Sequence, residues 1–230
     1  MEQKPKKILL GLTTTPASDW RGKVEEMKRF GIKEIALFPT FLKKSERDEL
    51  YALLEGIDGL RIPHIHLRDD MGEDELIYLE TTYHPVAYNI HDHPRLVPVY
   101  EKYRHKIFVE NHFHPFPDGI VGEYAGICLD TQHHYRNLFR SPGAFLKLLR
   151  HLRSGVSTIG CCHLSPMKSL RNRSKRKRLG VGSHYMIDLR EYEYVKQYVK
   201  YLPEYVSIEA ENTFAEQLRI REYLDGIINA

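Results

Sequence analysis

Residues 125–164 read AGICLDTQHHYRNLFRSPGAFLKLLRHLRSGVSTIGCCHL. Two short β-rich runs, AGICLD at 125–130 and STIGCCHL at 157–164, enclose PGAFLKLLRHLRSG, whose apolar residues recur at spacings of three and four. A strand, an amphipathic helix and a second strand in this order make a unit whose strands lie parallel, joined by a right-handed crossover. The same alternation extends in both directions. KILLGLTT (7–14), EIALF (34–38), IPHIHL (62–67), VAYNIH (86–91) and KIFVEN (106–111) precede the unit, and YVSIEAE (205–211) follows it. Amphipathic stretches fill most of the gaps: DWRGKVEEMKRFG, ERDELYALLEGI, EDELIYLETTYH and EYEYVKQYVKYL, with FAEQLRIREYLDGII closing the chain.

Eight strand–helix units are the number that closes a barrel. The predicted fold is α/β, a single (β/α)8 TIM barrel formed as one domain over residues 1–230. An open doubly wound sheet is the alternative, but GLTTTPASDW, after the first run, has neither GxGxxG nor GxxxxGK. HFHPFPDGIVGEY, between the fifth and sixth runs, is too short and too rich in Pro and Gly for a helix, so the fifth helix is expected to be degenerate, a bare loop.

The 230 residues are 42% hydrophobic, 28% charged and 11% aromatic, a composition that supports a sizeable core and argues against disorder. Net charge is +3, unevenly placed: residues 168–178 hold seven cations and no acid, leaving 27 basic and 31 acidic groups elsewhere. The run SLRNRSKRKRLGVG (169–182) is therefore either a solvated loop or a hand for phosphates. Cys128, Cys161 and Cys162 show no CxxC spacing and an odd count, which points to a reducing cytoplasmic location. The N-terminal apolar run is too short for a signal peptide, and no stretch approaches the ~18 apolar residues of a membrane span.

In a barrel the strand ends carry the chemistry. Six of the eight runs end on residues able to bind a metal: His64 and His66; His91, with His93 beyond; Glu110; Asp130, with His133 and His134 beyond; His163; and Glu209 with Glu211. A lone histidine at such a place is commonly a hydrogen-bonded rim residue. A carboxylate closing an apolar strand is harder to dismiss, since an unpaired buried charge costs several kcal/mol. A divalent cation shared by Glu110, Asp130, His163 and Glu209 answers that cost, and this donor set suits Zn, Mn or Fe. Alternation turns Cys162 away from the mouth and puts Cys161 on the His163 face, one layer deeper, both as core residues.

The order of these motifs resembles the xylose isomerase-like TIM barrels and, within them, the apurinic endonuclease IV family, from the third strand onward. The resemblance implies His64 in PHIHL (with His66 as a spare), His91 in NIHDHP, Glu110 in VEN as a bridge between two metals, Asp130 in ICLDTQHH, His163 in CHLSPMKS and Glu209 in IEAEN as metal ligands, with His133 serving a third site. The departure lies in the basic run. Counting back from LGVG (179–182), the family's aspartate falls on Ser174 and its histidine on Arg176, so two sites are intact and the third keeps His133 alone. His134 and His184 are the candidates to stand in.

Two activities follow. A two-metal phosphoester hydrolase would use Glu110, Glu209 and His133 in catalysis, with Lys168, Arg173, Arg176 and His184 binding a phosphorylated substrate, a class that extends to nucleic acid. A sugar or sugar-phosphate isomerase or epimerase would use one metal, with Glu110 and Glu209 as the acid–base pair and His133 on the substrate. A non-catalytic ligand-binding barrel is a third reading, but four such side chains on four strands exceed what packing requires. Tyr135 and Phe113 are expected to wall the pocket.

Overall fold

The computed structural model describes residues 5–16, 18–91, 98–112, 122–155, 157–180 and 182–230. Strands β1 (Lys7–Thr13), β2 (Glu34–Phe38), β3 (Arg61–His66), β4 (Ala87–His91), β5 (Ile107–Glu110), β6 (Gly126–Asp130), β7 (Ile159–Leu164) and β8 (Tyr205–Ile208) run parallel in chain order. β8 pairs back onto β1 and closes the barrel. This is the (β/α)8 architecture expected from the alternation. Around it stand α1 (Trp20–Phe30), α2 (Lys44–Glu55), α3 (Glu73–Tyr83), α4 (Thr131–Arg140), α5 (Pro142–Ser154), α6 (Leu170–Leu179) and α7 (Phe214–Ile228). Among the described residues no helix is long and apolar enough to cross a membrane.

Inward and outward side chains alternate along each strand. Outward residues such as Leu10, Leu12, Ile35, Leu37, Ile65, Cys162 and Val206 join the apolar faces of the helices in the main core. Inward residues fill the lower barrel in two small groups: Leu9, Ala36, Phe38 and Tyr205, and Ala87, Phe108, Cys128 and Cys161. Cys161 and Cys162 thus face opposite ways, as alternation requires. Phe108 plugs the floor only because residue 160 is glycine, where a Cβ would stand 1.9 Å from the ring. Gln217 of α7 ties the last helix to the first strand: its Oε1 accepts from Gly11 N at 2.8 Å and its Nε2 donates to Gly11 O at 2.9 Å.

Three segments differ from the sequence reading. The basic run is not a loop but helix α6, because Lys and Arg are good helix formers and both ends are capped. Ser169 Oγ accepts from Arg171 N at 3.2 Å, and Gly180 ends the helix at φ 66° in the left-handed region. EYEYVKQYVKYL forms 3-10 turns over Leu189–Gln197 and Val199–Tyr201. Tyr192, Val195 and Tyr198 are three apart and all buried, and a three-residue period stacks them on one face. TQHHYRNLFR forms α4, started by Asp130, whose carboxylate accepts from His133 N, and stopped where Ser141 precedes Pro142. The expected loop at 112–124 falls largely on 113–121, outside the described residues, as do His93 and Phe113.

Candidate metal centre

Towards the C-terminal ends of the strands the inward side chains turn polar, in two layers. In the lower layer, His64 Nδ1 lies 2.8 Å from Ser207 Oγ and His64 Nε2 lies 3.0 Å from Asn89 Oδ1. Asn89 Nδ2 in turn donates to Glu110 Oε2 at 2.7 Å. An amide nitrogen only donates and an amide oxygen only accepts, which assigns the protons on either side of Asn89 and leaves His64 Nδ1, on a singly protonated ring, to accept. Ser207 donates to His64 Nδ1, His64 Nε2–H donates to Asn89, and Asn89 donates to Glu110. Both ring nitrogens of His64 are therefore engaged below the mouth.

His66, two residues on, stands at the mouth beside Glu110 and His91 in the place that the resemblance gave to His64. Its Nδ1 is 2.8 Å from the Leu67 carbonyl, which can only accept, so the proton sits on Nδ1 and the Nε2 lone pair is turned to Glu110 and His91. That Nε2 lies 3.3 Å from Glu110 Oε2 and 3.3 Å from His91 Nε2. His91 Nε2 is 4.0 Å from Glu110 Oε1, with its ring half-exposed.

A second triad shares the same glutamate. Ligand atoms of Glu110, Asp130 and His163 lie within 4.8 Å of one another, as do those of His66, His91 and Glu110. His163 Nδ1 is 3.5 Å from Glu110 Oε2 and 3.8 Å from Glu209 Oε2. Asp130 is held by its neighbours: Oδ1 accepts from His133 N at 2.6 Å, and its backbone exchanges two 2.9 Å bonds with the Asn111 side chain. Glu209 Oε2 accepts from Ser165 Oγ at 3.0 Å and lies 3.5 Å from His184 Nδ1. Cys128, His64 and His163 also approach one another, Cys128 Sγ lying 3.4 Å from His163 Nε2, but the His64 nitrogens are already engaged.

Two atoms of the second triad lack a hydrogen bond, although Asp130 Oδ2 lies 3.5 Å from His133 Nε2. Asp130 Oδ2 and His163 Nδ1 are buried and make no hydrogen bond among the described residues. Burial, and then the charges of Glu110 and Glu209, push the Asp130 carboxyl well above its usual range. Burial, and then the surrounding imidazoles, push His163 well below its own. Burial also takes His66 down to about 4 and, with His112 and Arg136 adding, His133 to about 2. These imidazoles are neutral at pH 7, in the form that offers a lone pair. A buried group left without a partner costs about 1–3 kcal/mol, more when charged. A divalent cation among Glu110, Asp130, His163 and Glu209 would satisfy both orphaned atoms, so the residues fit such an ion.

At the rim, His112 bridges His91 and His133, with ring centroids 5.0 and 4.7 Å away. It was not singled out from sequence, since it follows a strand end inside a segment read as a bare loop; only its place two residues after Glu110 marked it. His184 reaches the centre, whereas His134 does not. The His134 ring bonds Tyr198 Oη at 2.8 Å and Phe145 O at 3.0 Å and stacks on Phe145, on the outer side of α4. Glu211 is buried beside the mouth and accepts from Gly182 N at 3.0 Å.

The basic residues of the run do not converge on the centre. Arg176 is buried and paired with Glu191, and donates to Tyr185 O at 3.1 and 3.2 Å. It anchors α6. Arg173 is exposed on α6, and Lys168 lines a groove together with Tyr135.

No protein-family model matches the chain, and no curated protein matches it in sequence. Among solved structures, the chain is similar to a probable 3-DHS dehydratase, AsbF, involved in petrobactin synthesis in Bacillus anthracis. That match is 15% identical with a TM-score of 0.48, covering 95% of this chain and 97% of the other. Endonuclease IV from Thermus thermophilus is 16% identical with a TM-score of 0.43, covering 95% and 99%. A xylose isomerase-like TIM barrel protein from Mycobacterium smegmatis, in complex with magnesium, is 13% identical with a TM-score of 0.45, covering 96% of each chain. At these identities the likeness is one of fold.

Proposed function

We propose that this chain is a divalent-metal-dependent phosphoester hydrolase holding two ions, one on His66, His91 and Glu110 and one on Glu110, Asp130, His163 and Glu209. The observation that carries this reading is the sharing of Glu110 by two ligand triads. A carboxylate common to two sites is the arrangement that brings paired ions close together, and paired ions neutralise the attacking and leaving oxygens of a phosphoester and acidify water. The chain's own residues supply the preorganisation. Asn89 fixes one oxygen of Glu110, Leu67 O fixes the tautomer of His66, and Ser165 fixes Glu209. His184 and His133, at the rim, are placed to meet phosphoryl oxygens or to move a proton.

The test is metal content together with turnover. Two ions per purified chain, and hydrolysis of bis(p-nitrophenyl) phosphate that chelation abolishes and Zn or Mn restores, are expected. A second reading draws on the greater burial of one triad. Glu110 and Glu209 flank His163 at 3.5 and 3.8 Å, so one buried ion with two carboxylates beside it also suits proton transfer between adjacent carbons of a sugar. One ion per chain, with proton exchange on ketose substrates and no diester hydrolysis, would establish that alternative.

A further inference from the structure

Helix α6 carries Arg171, Arg173, Lys175, Arg176, Lys177 and Arg178 within ten residues and no acid. Arg171 and Lys175, and Arg173 and Lys177, are four apart, so like charges stand side by side on one turn and destabilise the helix. Arg176 is buried on Glu191; the other five are exposed, and among the described residues no carboxylate pairs with them. Propensity and caps form this helix, but its charge stays unbalanced, and an anion from outside would balance it.

The first turn of α6 borders a groove of about 900 Å³. Tyr135 and Phe139 of α4 form one wall, and Met167, Lys168 and Arg171 line the α6 side. Phe139 is 73% exposed, a large flat ring offered to solvent, with the Tyr135 ring 6.0 Å away. The acids of the groove are already engaged: Glu191 with Arg176 and Asn172, Asp188 with Arg190, and Glu193 with Lys196. Lys168 is pulled below the usual lysine range by burial and then by Arg176, Arg136, Arg173 and Arg140, so cations from α4 and α6 converge there. Two residues of its walls are near neighbours in the chain of groups at the metal centre. Arg136, next to Tyr135, has Nη2 3.1 Å from His133 Nδ1, and Met167 lies two residues beyond Ser165, the donor to Glu209.

We propose that the α4–α6 groove binds single-stranded nucleic acid, its phosphates along the exposed cations of α6 and a base stacked on Phe139, so that an unpaired strand is what reaches the metal centre. The substrate part of this proposal rests on the phosphoester hydrolase reading. A duplex keeps its bases stacked on one another and has no use for an exposed ring, whereas an unpaired strand stacks bases on aromatic side chains and binds through charge. An anionic membrane would find the cations but not a use for a concave, ring-walled cleft.

The test is fluorescence anisotropy of the full chain with a labelled phosphorothioate oligo(dT) of about a dozen nucleotides, beside a duplex of equal length and phosphatidylserine vesicles. The single strand is expected to bind more tightly than the duplex, with a log–log salt slope of about −0.7 per phosphate contacted. F139A should weaken binding about five- to hundredfold with the slope unchanged. R171A/R173A should flatten the slope by about 1.4, and K33A, at the opposite end of the barrel, should change nothing. Equal binding of duplex, indifference to F139A, or capture of vesicles but not of the strand overturns the groove proposal. Hydrolysis of bis(p-nitrophenyl) phosphate by the unmodified chain separates the two readings. Turnover without strand binding removes only the groove, and Phe139-dependent binding without turnover removes only the hydrolase.

Discussion

Asn89 and Glu110 are joined by a 2.7 Å hydrogen bond at the point where the buried polar layer of the barrel meets the open centre. Asn89→Leu removes the amide donor that orients Glu110. Metal affinity is expected to fall about ten- to hundredfold, measured by competition with a chromogenic chelator, while circular dichroism at ambient temperature stays that of the parent chain.

His66→Ala and His64→Ala should part company. The first removes a mouth lone pair, and one of two ions per chain is expected to be lost in elemental analysis. The second removes a hydrogen-bonded ring from below the centre. Metal stoichiometry should hold, while stability falls by about 2–4 kcal/mol from the cavity and the unpaired Ser207 and Asn89 groups. Loss of an ion in His64→Ala, with retention in His66→Ala, would reverse the assignment.

Removal of metal leaves Asp130 Oδ2 and His163 Nδ1 unsatisfied, and chelation should lower the melting temperature. Added Zn or Mn should restore it, with a stabilisation of about 2.7 kcal/mol at a hundredfold excess over Kd. Asp130→Asn should blunt this response in differential scanning fluorimetry.

Arg176→Ala strands Glu191 in the interior, and breaking a buried pair from one side costs about 3–5 kcal/mol. Because α6 is held by this pair and by Asn172, the loss should be local. Hydrogen exchange is expected to accelerate at 170–179 and to leave β1–β8 protected.

Lys23, on α1, is buried with its Nζ 2.9 Å from Ala210 O, and burial brings its pKa down to about 7 from 10.5. The unfolded chain holds that proton up to pH 10.5 and the folded chain releases it near 7, so stability rises with pH between these values. A slope of up to about 1.4 kcal/mol per pH unit is expected, read from urea midpoints between pH 7 and 9. Lys23→Met should flatten it, since Gln217 Nε2 still donates to Ala210 O at 3.2 Å.

The barrel was legible in the alternation of eight apolar runs with amphipathic stretches, and the gathering of Glu110, Asp130 and His163 in their places at the ends of apolar strands, where a lone charge is too costly to stand without a partner. The choice between His64 and His66 was not legible. They share a face, and which reaches the mouth depends on the stagger of β3 against β4, where His66 and not His64 lies opposite Asn89. The run at 169–182 was misread because its charge was weighed and its caps, Ser169 and Gly180, were not. The role of Arg176 depended on Glu191, fifteen residues away and brought back by 3-10 turns that the pattern suggested as an α-helix.

The Ser207–His64–Asn89–Glu110 relay also constrains how this chain can vary over descent. Each member has its donor and acceptor roles dictated by the next, so a change at one position is penalised until its neighbours change as well. An apolar replacement of all three lower members at once, such as S207A/H64L/N89L, should be less harmful to folding than the sum of its single steps. The barrel interior therefore mutates as a block, and single-site scans will overstate how indispensable each residue is.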